Sequence, residues 1–292
     1  MLEFSAKQLK ILEKYQKEEI TAHYLYLFLA KRTEDATNRQ LLTEIAADEM
    51  RHYEIWQQYT KRDFGPRKVQ LGFFKLLGII FGFTFSLKLM EKGEDTGLMM
   101  YQNLGDQIPE IKTIMDDEEK HEDHLIGLLN EERLQYVGAM ILGLNDALVE
   151  LTGTIAGLTF AMNNNRLVAL SAIITGIAAT LSMAASNYLA EKADGQNDPL
   201  KSSFFTGGTY FLAVILLVLP YLLFPAHLYI PAFVTMLAIV VALIAIFNFY
   251  ISITRDQSFF KEFGRMALIS FSVMIISYLI GVIAKHFLGV TI

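Results

Sequence analysis

Two Glu-x-x-His pairs, Glu49-Met50-Arg51-His52 and Glu118-Glu119-Lys120-His121, are the first residues in the chain whose spacing could do chemistry. On a helix, positions i and i+3 share a face, so each pair can converge on one metal ion. A single pair of this kind is ordinarily a solvated helix face. Two of them, alternating with helices that carry the lone Glu19 and Glu94, give a complete di-metal carboxylate ligand set. Glu91 shares a face with Glu94 and could be an additional or alternative ligand. Glu19 precedes Tyr26 by seven residues and Glu94 precedes Tyr101 by seven, which reads as an internal repeat. Both tyrosines suit packing, or hydroxyl bonds to the ligands. His23 and His124 sit one turn beyond Glu19 and His121 and suit outer or surface positions. Carboxylates with imidazole fit iron, and equally manganese or zinc.

A second constellation lies in apolar sequence. Asp146 and Glu150 are four residues apart on one face of a stretch long enough to cross a bilayer, with Asn145 beside them. Ionisable groups at such depth are costly and mark function unless they form a buried structural pair. Met183 lies in the next apolar stretch, with Asn187 one turn on. Carboxylates plus a thioether suit a divalent transition metal better than calcium or magnesium. A methionine alone would more simply fill a core. Gly153 and Gly157 suit close helix packing, within or between subunits.

The elements that must position these groups are all helices. Apolar periodicity predicts helices over residues 5–32, from Thr37 (with Gln40 at capping-box spacing) to Arg62, from Phe73 to Asn103, and from Pro109 onward. Residues 71–90 are strongly apolar, but only twelve uncharged residues separate Lys75 from Lys88. That is too few to span, so this segment is expected to open the third helix, where it could rest against a membrane surface. From residue 136 five stretches have spanning length: 136–162, 166–191, 204–224, 228–251 and 266–288. The expected fold is all-α: a four-helix bundle over 1–134, then a five-helix transmembrane bundle over 135–292. No breaker separates Pro109 from the first span, so one rod could carry His121 and Asp146. Twenty-five residues at about 1.5 Å each place them roughly 38 Å apart, too far for direct hand-off.

Charge divides the same way. Residues 1–135 hold 18 Lys+Arg against 24 Asp+Glu, whereas 136–292 hold seven of each, so the net charge of −6 sits in the first part. Without cysteine there is no disulfide, thiolate zinc site, iron–sulfur cluster or cysteine nucleophile. Basic runs that grip nucleic acid are missing, as is a Gly-rich phosphate cradle for a nucleotide-driven pump. The charged N-terminus carries no export signal, so the first domain is expected in the cytoplasm. Arg133, Lys192, Lys201, Arg255, Lys261 and Arg265 fall on that side, and the C-terminus outside.

On its ligand pattern, residues 1–134 resemble the rubrerythrin branch of the ferritin-like superfamily, without its cysteine-ligated iron domain. That resemblance implies a di-iron centre, activation of dioxygen or peroxide, and dimerisation. Gly143-Leu144-Asn145-Asp146-Ala147-Leu148, Ser182-Met183-Ala184-Ala185 and the five-span layout resemble the vacuolar iron transporter family. The resemblance implies export of Fe2+, sometimes Mn2+, by a homodimer with proton exchange, and puts Asp146 and Met183 on the metal path. Two departures stand out. Asn187 replaces the glutamate usual before the tyrosine of the second span, and the acidic helices often found between spans two and three shrink to residues 191–203. The fusion resembles the membrane-bound ferritin type of exporter, expected in a prokaryotic inner membrane. The rival expectation is an enzyme, a ferroxidase or peroxidase for which the spans are only an anchor.

Overall fold

The computed structural model describes residues 4–90, 92, 108–127, 136–195 and 198–288, without the side chains of 122–127, 284–286 and 288. Among them every regular element is helical, and there is no strand. The chain divides into two compact units, Met1–Glu131 and Glu132–Ile292.

In the first unit, α1 (Ala6–Ala30) starts in a capping box, Ser5 accepting from the Gln8 backbone while the Gln8 side chain reaches back. Helix α2 (Ala36–Thr60) starts one residue before the expected Thr37. Its cap is the Asp35 carboxylate, which accepts from the Asn38 N–H at 2.7 Å and meets that orphan donor without the Thr37–Gln40 pair. The two helices form a hairpin, tied at its open end by Thr60, whose hydroxyl donates to Gln16 Oε1, and by Gln16 Nε2, which donates to the Arg62 carbonyl.

The expected third helix is corrected. Helix α3 runs Lys68–Phe81 and stops at Gly82, whose φ of 96° is accessible essentially to glycine alone. Helical residues 83–90 (α4) then fold back: the Ser86 hydroxyl donates to the Phe74 carbonyl at 2.8 Å, and Leu87 and Met90 join Leu71 and Phe74 in one core cluster. The apolar run is therefore a helical hairpin. Periodicity cannot show such a reversal, because both arms are apolar on the same pattern. Helix α5 (Ile111–Gly127) follows. Whether it continues into the first span falls on residues 128–135, outside the described ones.

Among the described residues, the second unit has five helices long and apolar enough to cross a membrane. These are α6 (Val137–Met162), α7 (Asn165–Ala193), α8 (Pro199–Leu223), α9 (Tyr229–Thr254) and α10 (Phe259–Leu288). Helix α8 begins five residues before the expected 204, because Asp198 caps the Lys201 N–H and Pro199 suits a first turn. Helix α10 likewise takes in the charged residues Lys261, Glu262 and Arg265, which were expected in a connection.

Close packing holds the spans together. A Cβ on Gly143 would lie 2.2 Å from the Thr206 carbonyl oxygen, so only glycine lets α6 meet the α8 backbone there. Gly153 and Gly157 face Ser277 of α10, which settles that pair as packing within the chain. The Thr159 and Tyr221 hydroxyls, 2.8 Å apart and buried, join α6 to α8.

Candidate metal centre

The helices that carry the candidate ligands of the first unit bury a polar layer between two apolar clusters. On one side Leu25, Leu29, Leu42 and Ile45 pack with the α3–α4 hairpin; on the other Leu12, Tyr15 and Trp56 pack with Ile108, Ile111 and Ile114. Between them, α1 supplies Glu19, α2 supplies Glu49 and His52, and α5 supplies Glu118 and His121. Glu19, Glu49, His52 and Glu118 each offer a ligand atom within 4.8 Å of the others, a group able to hold a metal ion. His121 Nδ1 stands 3.7 Å from Glu49 Oε1 and 3.8 Å from Glu118 Oε2. His52 Nδ1 stands 3.2 Å from Glu118 Oε1 and 3.8 Å from Glu19 Oε2.

The donor set fits a metal. His52 is fully buried and His121 nearly so, yet neither Nδ1, nor His52 Nε2, makes a hydrogen bond of good geometry among the described residues. Buried polar atoms are normally satisfied. Two imidazole nitrogens directed at one layer of carboxylate oxygens have what a divalent transition ion requires. Five of the six principal ligands expected from sequence thus converge; Glu94, Glu91 and Tyr101 lie outside the described residues. His23 is turned away, its Nδ1 2.6 Å from the Ala46 carbonyl, and Tyr26 is buried in the apolar cluster. The His124 side chain is also outside the described set.

The structure adds a surrounding layer that ligand spacing alone does not reveal. His52 Nε2 faces Asp117 Oδ2 at 3.5 Å, and His121 Nε2 faces Asp48 Oδ2 at 3.1 Å. Each histidine therefore meets the aspartate preceding the other helix's glutamate. The readable signal was Asp-Glu-x-x-His, present at both 48–52 and 117–121. Arg51 spans the two aspartates, 2.6 Å from each, and Lys120 adds a 3.1 Å contact to Asp117. Trp56, fully buried and the one tryptophan of the chain, donates its indole N–H to Glu19 Oε1 at 2.9 Å and packs on Tyr15.

Metal-free, this layer trades charge with protons. Burial alone would lower the His52 imidazole, but Glu118 and Glu19 outweigh it and push it up to about 10. Burial likewise works against the His121 imidazolium, yet Glu118 and Asp48 hold it above its ordinary value. Glu118, despite burial, is held below the usual carboxylate range by His121 and His52. Asp117 is also lowered against its burial, by Lys120, Arg51 and His52. Carboxylates and imidazolium groups thus offset one another without metal, and an incoming dication competes with the imidazole protons.

In the second unit, α6 carries a π turn over Ala147–Leu151, which directly follows Asp146 and includes Glu150. Such wider i→i+5 turns are frequent at functional sites. Asp146 is half-buried and Glu150 exposed on the single chain. The Tyr210 hydroxyl, buried on α8, donates to Glu150 Oε2 at 3.4 Å, a partner sequence reasoning missed. Asn145 Oδ1 is buried without a hydrogen-bond partner among the described residues. Met183 is half-buried on α7. Asn187 is turned to α8, donating Nδ2–H to Ser202 Oγ at 2.9 Å, and the Ser202 hydroxyl donates to Glu191 at 3.1 Å. Glu191 thus stands one turn beyond Asn187 and is linked to it through Ser202.

Five spans make the chain a multi-pass membrane protein. Residues 137–197, covering α6 and α7 with their polar groups, match the VIT family, a family of membrane metal transporters. The match does not extend to the first unit. No curated protein and no solved structure matches the chain.

Proposed function

We propose that the chain exports Fe2+, with Mn2+ a second substrate, from the cytosol in exchange for protons. In this reading the first unit is a ferritin-like four-helix bundle with a di-iron site that collects, senses or oxidises the metal. The observation that carries transport is the Asp146–Glu150 pair on a π turn inside a span of the VIT-matching segment. A passive anchor has no use for two carboxylates at that depth. Asp146 and Glu150 bind the desolvated ion and release it when protonated, while the Tyr210 hydroxyl holds Glu150 in place. The Met183 sulfur favours iron-like ions. Glu150, exposed on the single chain, would meet hydrocarbon unless covered, which supports a homodimer that buries this face.

In the bundle, Glu19, Glu49, His52, Glu118 and His121 would hold the metal, with Glu94 as the sixth expected ligand and Glu91 as an additional or alternative one. Bound iron would supply one-electron chemistry toward dioxygen or peroxide. Asp48 and Asp117 orient the two imidazoles from behind, and Trp56 fixes one oxygen of Glu19. The same buried site favours one rival, a membrane-anchored ferroxidase or peroxidase. The reading places the protein in a prokaryotic inner membrane with the bundle in the cytoplasm.

The test is Fe2+ flux in proteoliposomes. Asp146→Ala and Met183→Ala are expected to abolish or strongly reduce it; wild-type flux in both would end the pathway assignment. Peroxide or oxygen consumption on Fe2+ addition, lost in Glu49→Ala while no flux is found in wild type, would select the enzyme.

A further inference from the structure

Helix α3 has two apolar faces. Leu71 and Phe74 turn inward to the cluster of α1 and α2. Val69, Phe73 and Leu76 point outward, 89, 53 and 52% exposed, and Ile79 and Ile80 are about half exposed on the same side. At 100° per residue, Val69, Gly72, Phe73, Leu76, Ile79 and Ile80 form one stripe about 120° wide with no polar residue in it. A stripe of this size on a water-facing helix marks an interaction surface.

Its chemistry points to lipid. Residues 64–90 carry Lys68, Lys75 and Lys88, together with Arg67 that pairs with Glu18 of α1 at 3.2 Å, and no Asp or Glu, in the half of the chain that holds 24 of the 31 acids. Lys68 is exposed, and the Lys75 stem lies along the flank with its ammonium 4.9 Å over the Phe28 ring. Apolar stripes flanked by basic side chains suit the boundary of headgroups and acyl chains in an anionic leaflet. Chain connection supplies the proximity. Only nine residues, or ten Cα–Cα steps, lie between Gly127, the end of α5, and Val137, the start of α6. Fully extended they reach about 35 Å, so the first unit cannot leave the bilayer its own spans occupy.

We propose that the outer face of α3 docks on the anionic lipid surface of the membrane that the same chain spans. Phe73 and Leu76 enter the acyl boundary, and Lys68 and Lys75 meet lipid phosphates. This surface is independent of whether the protein transports metal.

Because the chain lacks cysteine, Phe73→Cys gives a single attachment site for an environment-sensitive fluorophore. The full chain is reconstituted in liposomes of phosphatidylcholine and phosphatidylglycerol with brominated acyl chains. The same label at Glu54→Cys, exposed on α2, is the reference. Lipid quenching at residue 73 is expected to exceed the reference by about three-fold or more, and to fall to the reference when Val69→Ser and Leu76→Ser are added. Quenching equal to the reference overturns the proposal, as does quenching that survives the double serine change. A disulfide joining two unlabelled Phe73→Cys chains through position 73, in place of lipid quenching, also overturns it by assigning the face to a second copy.

Discussion

Asp48→Asn and Asp117→Asn test the metal centre through groups that touch no metal. Asparagine preserves shape and an acceptor oxygen, so what is removed is the negative charge behind each imidazole. Asp48 stands 3.1 Å from His121 Nε2 and Asp117 3.5 Å from His52 Nε2. Losing an outer partner of a metal-binding histidine ordinarily weakens metal affinity about 10–100-fold, or roughly 1.4–2.8 kcal/mol. Asp117 belongs at the upper end: it is buried, and it also anchors Arg51 and Lys120. The assay is anaerobic Fe2+ titration of the full chain in nanodiscs, followed by Trp56 fluorescence. With one tryptophan, whose N–H lies on Glu19, the signal reports the site itself. Affinities within about two-fold of wild type for both variants would refute the reasoning, because Coulombic support of the imidazoles would then be worth nothing.

Three further outcomes follow from the geometry. Gly143→Ala forces a Cβ to within 2.2 Å of a backbone oxygen; it should destabilise the spans by about 1–3 kcal/mol or more, read as a lower melting temperature in detergent. Gly82→Ala places a side chain at φ 96° and should cost the first unit about 1–3 kcal/mol, visible as earlier loss of its helical signal on heating. The metal-free centre should show a stability window in pH. His52, raised to about 10 when folded, stabilises fully below its ordinary value near 6.5, and that contribution is lost as pH rises toward 10. Glu118, lowered when folded, stabilises above its ordinary value near 4.5, and its contribution is lost as pH falls. Chelated protein is therefore expected to melt highest between those limits, and metal should flatten the alkaline decline. A melting temperature that rises steadily from pH 7 to 10 would contradict the His52 assignment.

Much of this was legible because helices write their faces at fixed spacing. Glu49 with His52 and Glu118 with His121 could be paired from sequence alone, and α1, α2 and α5 bring them to one layer with Glu19. Spans were legible because length and hydropathy suffice; their ends were not, since Asp198 and Pro199 start α8 by local capping in a segment that reads as polar. The reversal at Gly82 was hidden because one glycine decides it within twenty residues of uniform apolarity. Asp48, Asp117 and Tyr210 were missed because their roles depend on which helix lies opposite. The exposure of Glu150 likewise has meaning only once neighbouring helices are in place.

The transport reading stands or falls on proton-coupled Fe2+ flux into wild-type and Asp146→Ala proteoliposomes at equal protein content. Flux in the wild type, dependent on a pH gradient and lost in Asp146→Ala, is the predicted result; equal flux in both, or none in either with the protein folded, would contradict it.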